Sequence, residues 1–81
     1  MSVEINGYIQ GPSCYQLKIR LAGKHERGCD YAFKVFLRSN GIQIDKDYGG
    51  NARGYYELTA IVNPERVSEA KRLIKDWGSN N

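Results

Sequence analysis

Cysteine and histidine are nearly missing from this 81-residue chain, which has only Cys14, Cys29 and His25. Two thiols are too few for a disulfide framework, and one histidine with no paired cysteine motif makes no zinc site, so no metal is expected. Proline occurs only at Pro12 and Pro64, and both positions read as boundaries: a turn, and the first residue of a helix. No apolar run approaches the ~20 residues needed to span a bilayer, and the N-terminus lacks a basic-then-apolar leader. No membrane partner is expected, and the chain reads as cytoplasmic. Phosphate-loop chemistry is absent too, since Gly23-Lys24-His25-Glu26-Arg27-Gly28 does not match that signature. No cofactor is expected.

What the chain does have is patterned. Its length fits one small domain over 1–78, with a frayed tail at 79–81; such a domain buries only about 60% of its unfolded surface. Val3, Ile5, Gly7 and Ile9 alternate with polar residues, then Tyr15, Leu17, Ile19 and Leu21 alternate with Gln16, Lys18 and Arg20. Two such strands across Gly11-Pro12-Ser13 make an antiparallel hairpin. Residues 55–62 are β-branched and aromatic, a third clear strand. Asn63 and Pro64 then cap and start a helix in which Val67, Ala70, Leu73, Ile74 and Trp77 recur at helical spacing, with Gly78 placed to end it.

Residues 30–47 read two ways. As strands, Tyr31, Phe33, Val35 and Leu37 share a face and Asn40-Gly41 makes a hairpin turn. As a helix over 30–40, Asp30 is the N-cap, Lys34 and Arg38 form an exposed stripe, Gly41 terminates it, and Ile42 supplies the apolar contact after the cap. The helix gives an α+β fold of order ββαββα, a four-stranded ferredoxin-like sheet with both helices on one face and every connection short. Its strand from Tyr55 inserts between the second and third strands, and the first strand lies outside the second. The alternative is a five-stranded antiparallel meander with one C-terminal helix.

The net charge of +3 is unevenly spread: residues 18–38 carry an excess of +4 and the rest sums to −1. In the ββαββα arrangement the loops after the second and third strands and the end of the last helix fall at one pole. Lys24, His25, Arg27, Arg53, Lys71, Arg72 and Lys75 would gather there, beside Arg20. The helix-free face would carry Tyr8, Gln10, Gln16, Lys18, Arg20, Tyr55, Glu57, Thr59, Gln43, Asp45 and Asp47. Tyrosines flanking a basic centre suit base stacking and phosphate contact, although a solvated sheet face has the same composition.

Arg53-Gly54-Tyr55-Tyr56-Glu57-Leu58 resembles the opening of the RNA-recognition-motif signature, which runs basic, glycine, aromatic, small, aromatic, aliphatic. The resemblance implies that Tyr55 is an outward, base-stacking aromatic. It departs at Tyr56, where a small residue is expected, at Glu57, where the second stacking aromatic belongs, and in having no strand after Gly78. These six residues do not assign the chain to that family.

Catalysis has one candidate. With Ile44 facing Leu58, Asp45 would oppose Glu57 with Asp47 beside them, a like-charge group that a magnesium ion, or simply Lys18 or Arg20, would relieve. His25 has no carboxylate to orient it and no nucleophile set with Cys29, so no enzyme is expected. Cys14 and Cys29 should stand about 20 Å apart by strand rise and form no disulfide. The expectation is a non-catalytic nucleic-acid-binding protein, for RNA or single strands, with Lys18, Arg20, Lys24, His25, Arg27 and Arg53 on phosphates and Tyr8 and Tyr55 on bases. The competing reading is a protein-binding regulator or mobile-element-encoded inhibitor docked on a larger enzyme. Either could form a homodimer through a sheet edge near residues 3–10 or 42–47.

Overall fold

A computed structural model describes residues 2–11, 14–22, 29–49 and 55–80. Their elements follow in order as β1 (Ser2–Gly11), β2 (Cys14–Ala22), α1 (Cys29–Ser39), β3 (Gln43–Gly49), β4 (Tyr55–Val62) and, after a 3-10 turn at Pro64–Arg66, α2 (Val67–Ser79). The strands form one antiparallel sheet in the order β1-β2-β4-β3. The chain is therefore α+β with the ββαββα order, and the helical reading of the ambiguous segment holds.

Alternation in β2 and β4 builds the core. Leu17, Ile19 and Leu21 stand opposite Ala60, Leu58 and Tyr56, and all six are buried. Both helices bury residues in that same cluster, Phe33 and Leu37 from α1 and Ala70 and Ile74 from α2. Between the helices Trp77 lies against Phe33 and Phe36, with ring centroids 4.9 and 6.0 Å apart. The three aromatics thus serve as packing, as an offset or tilted ring cluster does in most cores.

α1 stops for a reason legible in its residues. Gly41 adopts φ 71°, the left-handed conformation that glycine tolerates without steric cost. The Ile42 amide then donates to the Leu37 carbonyl at 2.9 Å and the Gly41 amide to Arg38 at 3.1 Å, a Schellman termination. Ile42 follows into the core at 1% exposure. At the start, α1 begins with Cys29, one residue before Asp30, the expected N-cap. The start of α2 is tied to this end of α1: Arg66 donates to the Asn40 carbonyl at 3.0 Å and to the Gly41 carbonyl at 3.4 Å. Asn63 accepts from the Glu65 amide as expected of an N-cap, with Pro64 next.

Two expectations fail locally. Gly78 does not terminate α2, which runs through Ser79 and is capped by Asn80 donating to the Asp76 carbonyl at 3.1 Å. A Cβ on Gly78 would stand 2.2 Å from Val3 Cγ2, so the glycine is there to let helix and strand approach. In β3 the register breaks between Ile44 and Lys46 and again between Asp47 and Gly49. Ile44 pairs with Ala60 rather than Leu58, and Asp47 pairs with Leu58, whose side chain faces the helices. The first bulge accordingly turns Asp47 off the helix-free face and onto Lys34 of α1, with which it forms an ion pair.

The Pro12-Ser13 turn and the connections at 23–28 and 50–54 lie outside the described residues. Cys14 opens β2, opposite Gly11, and is in no disulfide.

Candidate nucleic-acid interface

The helix-free face is organised around a carboxylate. β2 presents Lys18 and Arg20, and β4 presents Glu57 directly opposite Arg20. Lys18 Nζ lies 3.0 Å from Glu57 Oε1 and Arg20 Nη2 lies 3.6 Å from Glu57 Oε2. Arg20 also stacks its guanidinium 4.2 Å from the centroid of the Tyr55 ring, within the range of a cation–π contact. Glu57 is only 6% exposed, although among the described residues no helix or strand lies over this face. Lys18 and Arg20, at 43% and 40% side-chain exposure, make these pairs with their charged heads still in reach of water.

The charges hold one another in their ionised forms. The hydrogen bond from Lys18 keeps the Glu57 carboxyl below the usual glutamate range; burial opposes this, and the charges of Lys18 and Arg20 reinforce it. The same hydrogen bond and the Glu57 charge raise Lys18 above the usual lysine range.

A second network occupies the middle of the face. Gln16 Nε2 donates to Asp45 Oδ2 at 3.1 Å and Thr59 Oγ1 donates to the same oxygen at 3.4 Å. The Lys46 amide donates to Thr59 Oγ1 at 3.1 Å. Gln16 belongs to β2 and Asp45 to β3, so their bond straps across β4 and leaves Thr59 1% exposed. On the opposite face burial pushes the Asp47 carboxyl up, yet hydrogen bonds from Lys34, the Tyr56 hydroxyl and the Gly49 amide outweigh it and hold the group low.

Among the expected site residues, Lys18, Arg20 and Tyr55 are therefore brought together around Glu57. Tyr8 shares their face, 45% exposed and diagonal to Lys18, since Asn6 pairs with Lys18 and Tyr8 with Gln16. It stands about 20 Å along the strands from Tyr55 by strand rise, so the two rings cannot hold the same base. Lys24, His25, Arg27 and Arg53 lie outside the described residues. Lys71, expected at the pole, instead reaches the Tyr15 ring at 5.9 Å, and Tyr15 pairs with Ile9 and Val62 at the far end of the sheet. Tyr56, where the RNA-recognition signature wants a small residue, points into the core at 3% exposure.

The expected Asp45–Glu57 pair is corrected by the bulge. Glu57 takes Gly49 as its partner on β3, and Asp45 sits over Thr59. The two carboxylates are served separately, Asp45 by hydrogen bonds from Gln16 and Thr59 and Glu57 by the two cations that its register already pointed to. Among the described residues no three metal-ligating side chains converge. Sequence reasoning missed the Gln16–Asp45–Thr59 network and the Arg20–Tyr55 stack. The stack had a signal, because Arg20 and Tyr55 are diagonal neighbours once β2 and β4 pair; the network did not, because it depends on the bulge.

No family model, curated protein or solved structure matches the chain significantly.

Proposed function

We propose that the chain is a small, non-catalytic nucleic-acid-binding protein that takes RNA or single strands at the β2–β4 end of its sheet. The observation that carries this reading is the meeting of strand ends. Ala22, which leads into residues 23–28, pairs with Tyr55, and Gly49, which leads into 50–54, pairs with Glu57. Those two connections contain Lys24, His25, Arg27 and Arg53 against Glu26, two of the three net positive charges. Both leave the described sheet beside the Arg20–Tyr55 stack. Phosphates bind the basic connections and a base stacks on the Tyr55 side of the platform. The middle of the face adds little affinity, since Lys18 and Arg20 already serve Glu57 and Asp45 is engaged by Gln16 and Thr59. In its finer form the fold is a ferredoxin-like sheet whose outer strand comes from the N-terminus.

The test is anisotropy of a labelled single-stranded oligouridine, with a duplex of equal length beside it, titrated between low and physiological salt. Three to four phosphate contacts on a single strand give a log–log slope of roughly −2 to −3. Replacing Lys24, Arg27 and Arg53 together by Ala removes that slope, and Tyr55→Ala weakens binding by about tenfold while leaving it, because stacking on one base contributes about 1–3 kcal/mol. Absent or salt-independent binding defeats the reading. The second reading, a protein-binding regulator, is favoured by the outer edge of β1, along which no strand lies among the described residues; a partner retained after nuclease treatment supports it.

A further inference from the structure

The two edges of the sheet are built differently. β3 packs Asp45, Lys46 and Asp47 into seven residues and breaks register twice, features that stop an edge from pairing with another chain. β1 has one charge, Glu4, in ten residues, no proline, and unbroken register with β2 from Ser2 to Ile9. Among the described residues no strand lies along its outer side.

A groove runs beside that edge on the helix face. Its floor is Val3 and Ile5, both half-buried against the core, and the Tyr15 ring, which lies so close over Gly7 that a Cβ there would stand 2.5 Å from it. Its wall is α2. Gly78 presses against Val3, and a depression of about 240 Å³ opens between Val3, Lys75, Gly78 and Ser79. One turn back along the helix, Lys71 holds its ammonium 5.9 Å from the Tyr15 ring. Among the described residues neither Lys71 nor Lys75 has an acidic partner, whereas Lys18 and Arg20 on the helix-free face both pair with Glu57.

We propose that this groove takes an extended acidic peptide as a fifth strand beside β1. The β1 backbone supplies ladder hydrogen bonds, alternate apolar side chains of the peptide rest on Val3, Ile5 and Tyr15, and a carboxylate on the same side reaches Lys71 or Lys75. A second copy of β1 is the weaker occupant, because Val3, Ile5 and Gly7 would face the lysines with no carboxylate. Glu4 lies on the other face, opposite Arg20.

The experiment is selection of displayed random ten-residue peptides against the full chain, repeated against Lys71→Glu/Lys75→Glu. Enriched peptides are expected to carry Asp or Glu at alternate positions and to lose at least tenfold in affinity on the double variant, whose own selection should enrich Lys or Arg instead. In nitrogen-edited NMR spectra the selected peptide slows exchange of β1 amides and leaves β3 amides unchanged. No enrichment, enrichment without acidic bias, or protection at β3 overturns the proposal. So does a peptide-free dimer in sedimentation whose protected amides are those of β1, which would give the edge to a second copy. Circular dichroism of the double variant guards against misfolding, and Lys71→Gln/Lys75→Gln, which keeps the stems, should lose affinity as well.

Discussion

Glu57 shows how a single residue can be read as a liability and turn out to be a hub. A carboxylate in the middle of a four-stranded sheet costs stability unless cations lie within reach, and the register supplies two of them. Its depressed pKa sets the sign of a pH effect. A carboxyl that ionises more readily folded than unfolded binds fewer protons in the native state, so its contribution is complete above the ordinary carboxylate range and is lost as pH falls through it. Asp47, also held low, adds in the same direction. Lys18, held high, loses its contribution only as pH rises past the ordinary lysine range. Urea midpoints should therefore be flat near neutrality and fall on acidification. Glu57→Gln should lower the midpoint at pH 7 and flatten the acid limb, so that the two proteins converge at low pH. An acid limb unchanged in the variant would mean that the pair with Lys18 and Arg20 does not persist in solution.

At the scale of elements, α1 decides the architecture, and its local pattern alone did not decide α1. Tyr31, Phe33, Val35 and Leu37 alternate as a strand would, while Phe33 and Leu37 are also four apart as a helix wants. Both readings put Gly41 at positive φ, and the tie is broken by Asn40, which a hairpin turn would also need at positive φ and which is not, and by the Ile42 and Gly41 amides, which donate back to the Leu37 and Arg38 carbonyls. The stripe left outside is mixed, with Tyr31 at 69% exposure and Val35 also exposed, which is why alternation misleads there. Gly41→Ala should cost about 1–2 kcal/mol, the penalty of an L-residue in that conformation, with Gly41→Asn between alanine and wild type. For a domain of this size each kcal/mol lowers the thermal midpoint by roughly 4–8 °C, measurable by circular dichroism. An unchanged midpoint in Gly41→Ala would show that the chain leaves α1 by another route. β3 was harder to read. Ile44-Asp45-Lys46-Asp47 has the right alternation for a regular edge strand, and nothing in four residues marks which one is the extra residue of a bulge. The face assigned to Asp47 was lost for that reason, and the Gln16–Asp45–Thr59 network with it.

Across the whole molecule, what could be read in advance was whatever two independent patterns agreed on. The β2–β4 pairing followed from two matched alternations, and it carried Arg20, Glu57 and Tyr55 to one place. The pole was legible only as topology: strand ends meet there, but Lys71 lies toward the far end of the sheet because α2 runs the length of it. The same layout predicts how the sheet opens. β2 and β4 are flanked on both sides and bury five of six core residues below 2% exposure where they pair, with Tyr56 at 3%. β3 has one neighbour, two register breaks and mostly exposed side chains. Local opening draws on the least-packed backbone first, and its free energy rises toward the global value in the core. Amide exchange should therefore be slowest at Leu17, Ile19, Leu58 and Ala60, and on the order of 100-fold faster at the interior amides of β3. The interior of β1 falls between, because α2 closes on it at Gly78 while among the described residues no strand lies on its outer side. Equal protection in β3 and β4 would mean that the bulged edge opens only with the whole domain, and that Lys34 and Asp47 pin it more firmly than a partly exposed ion pair should.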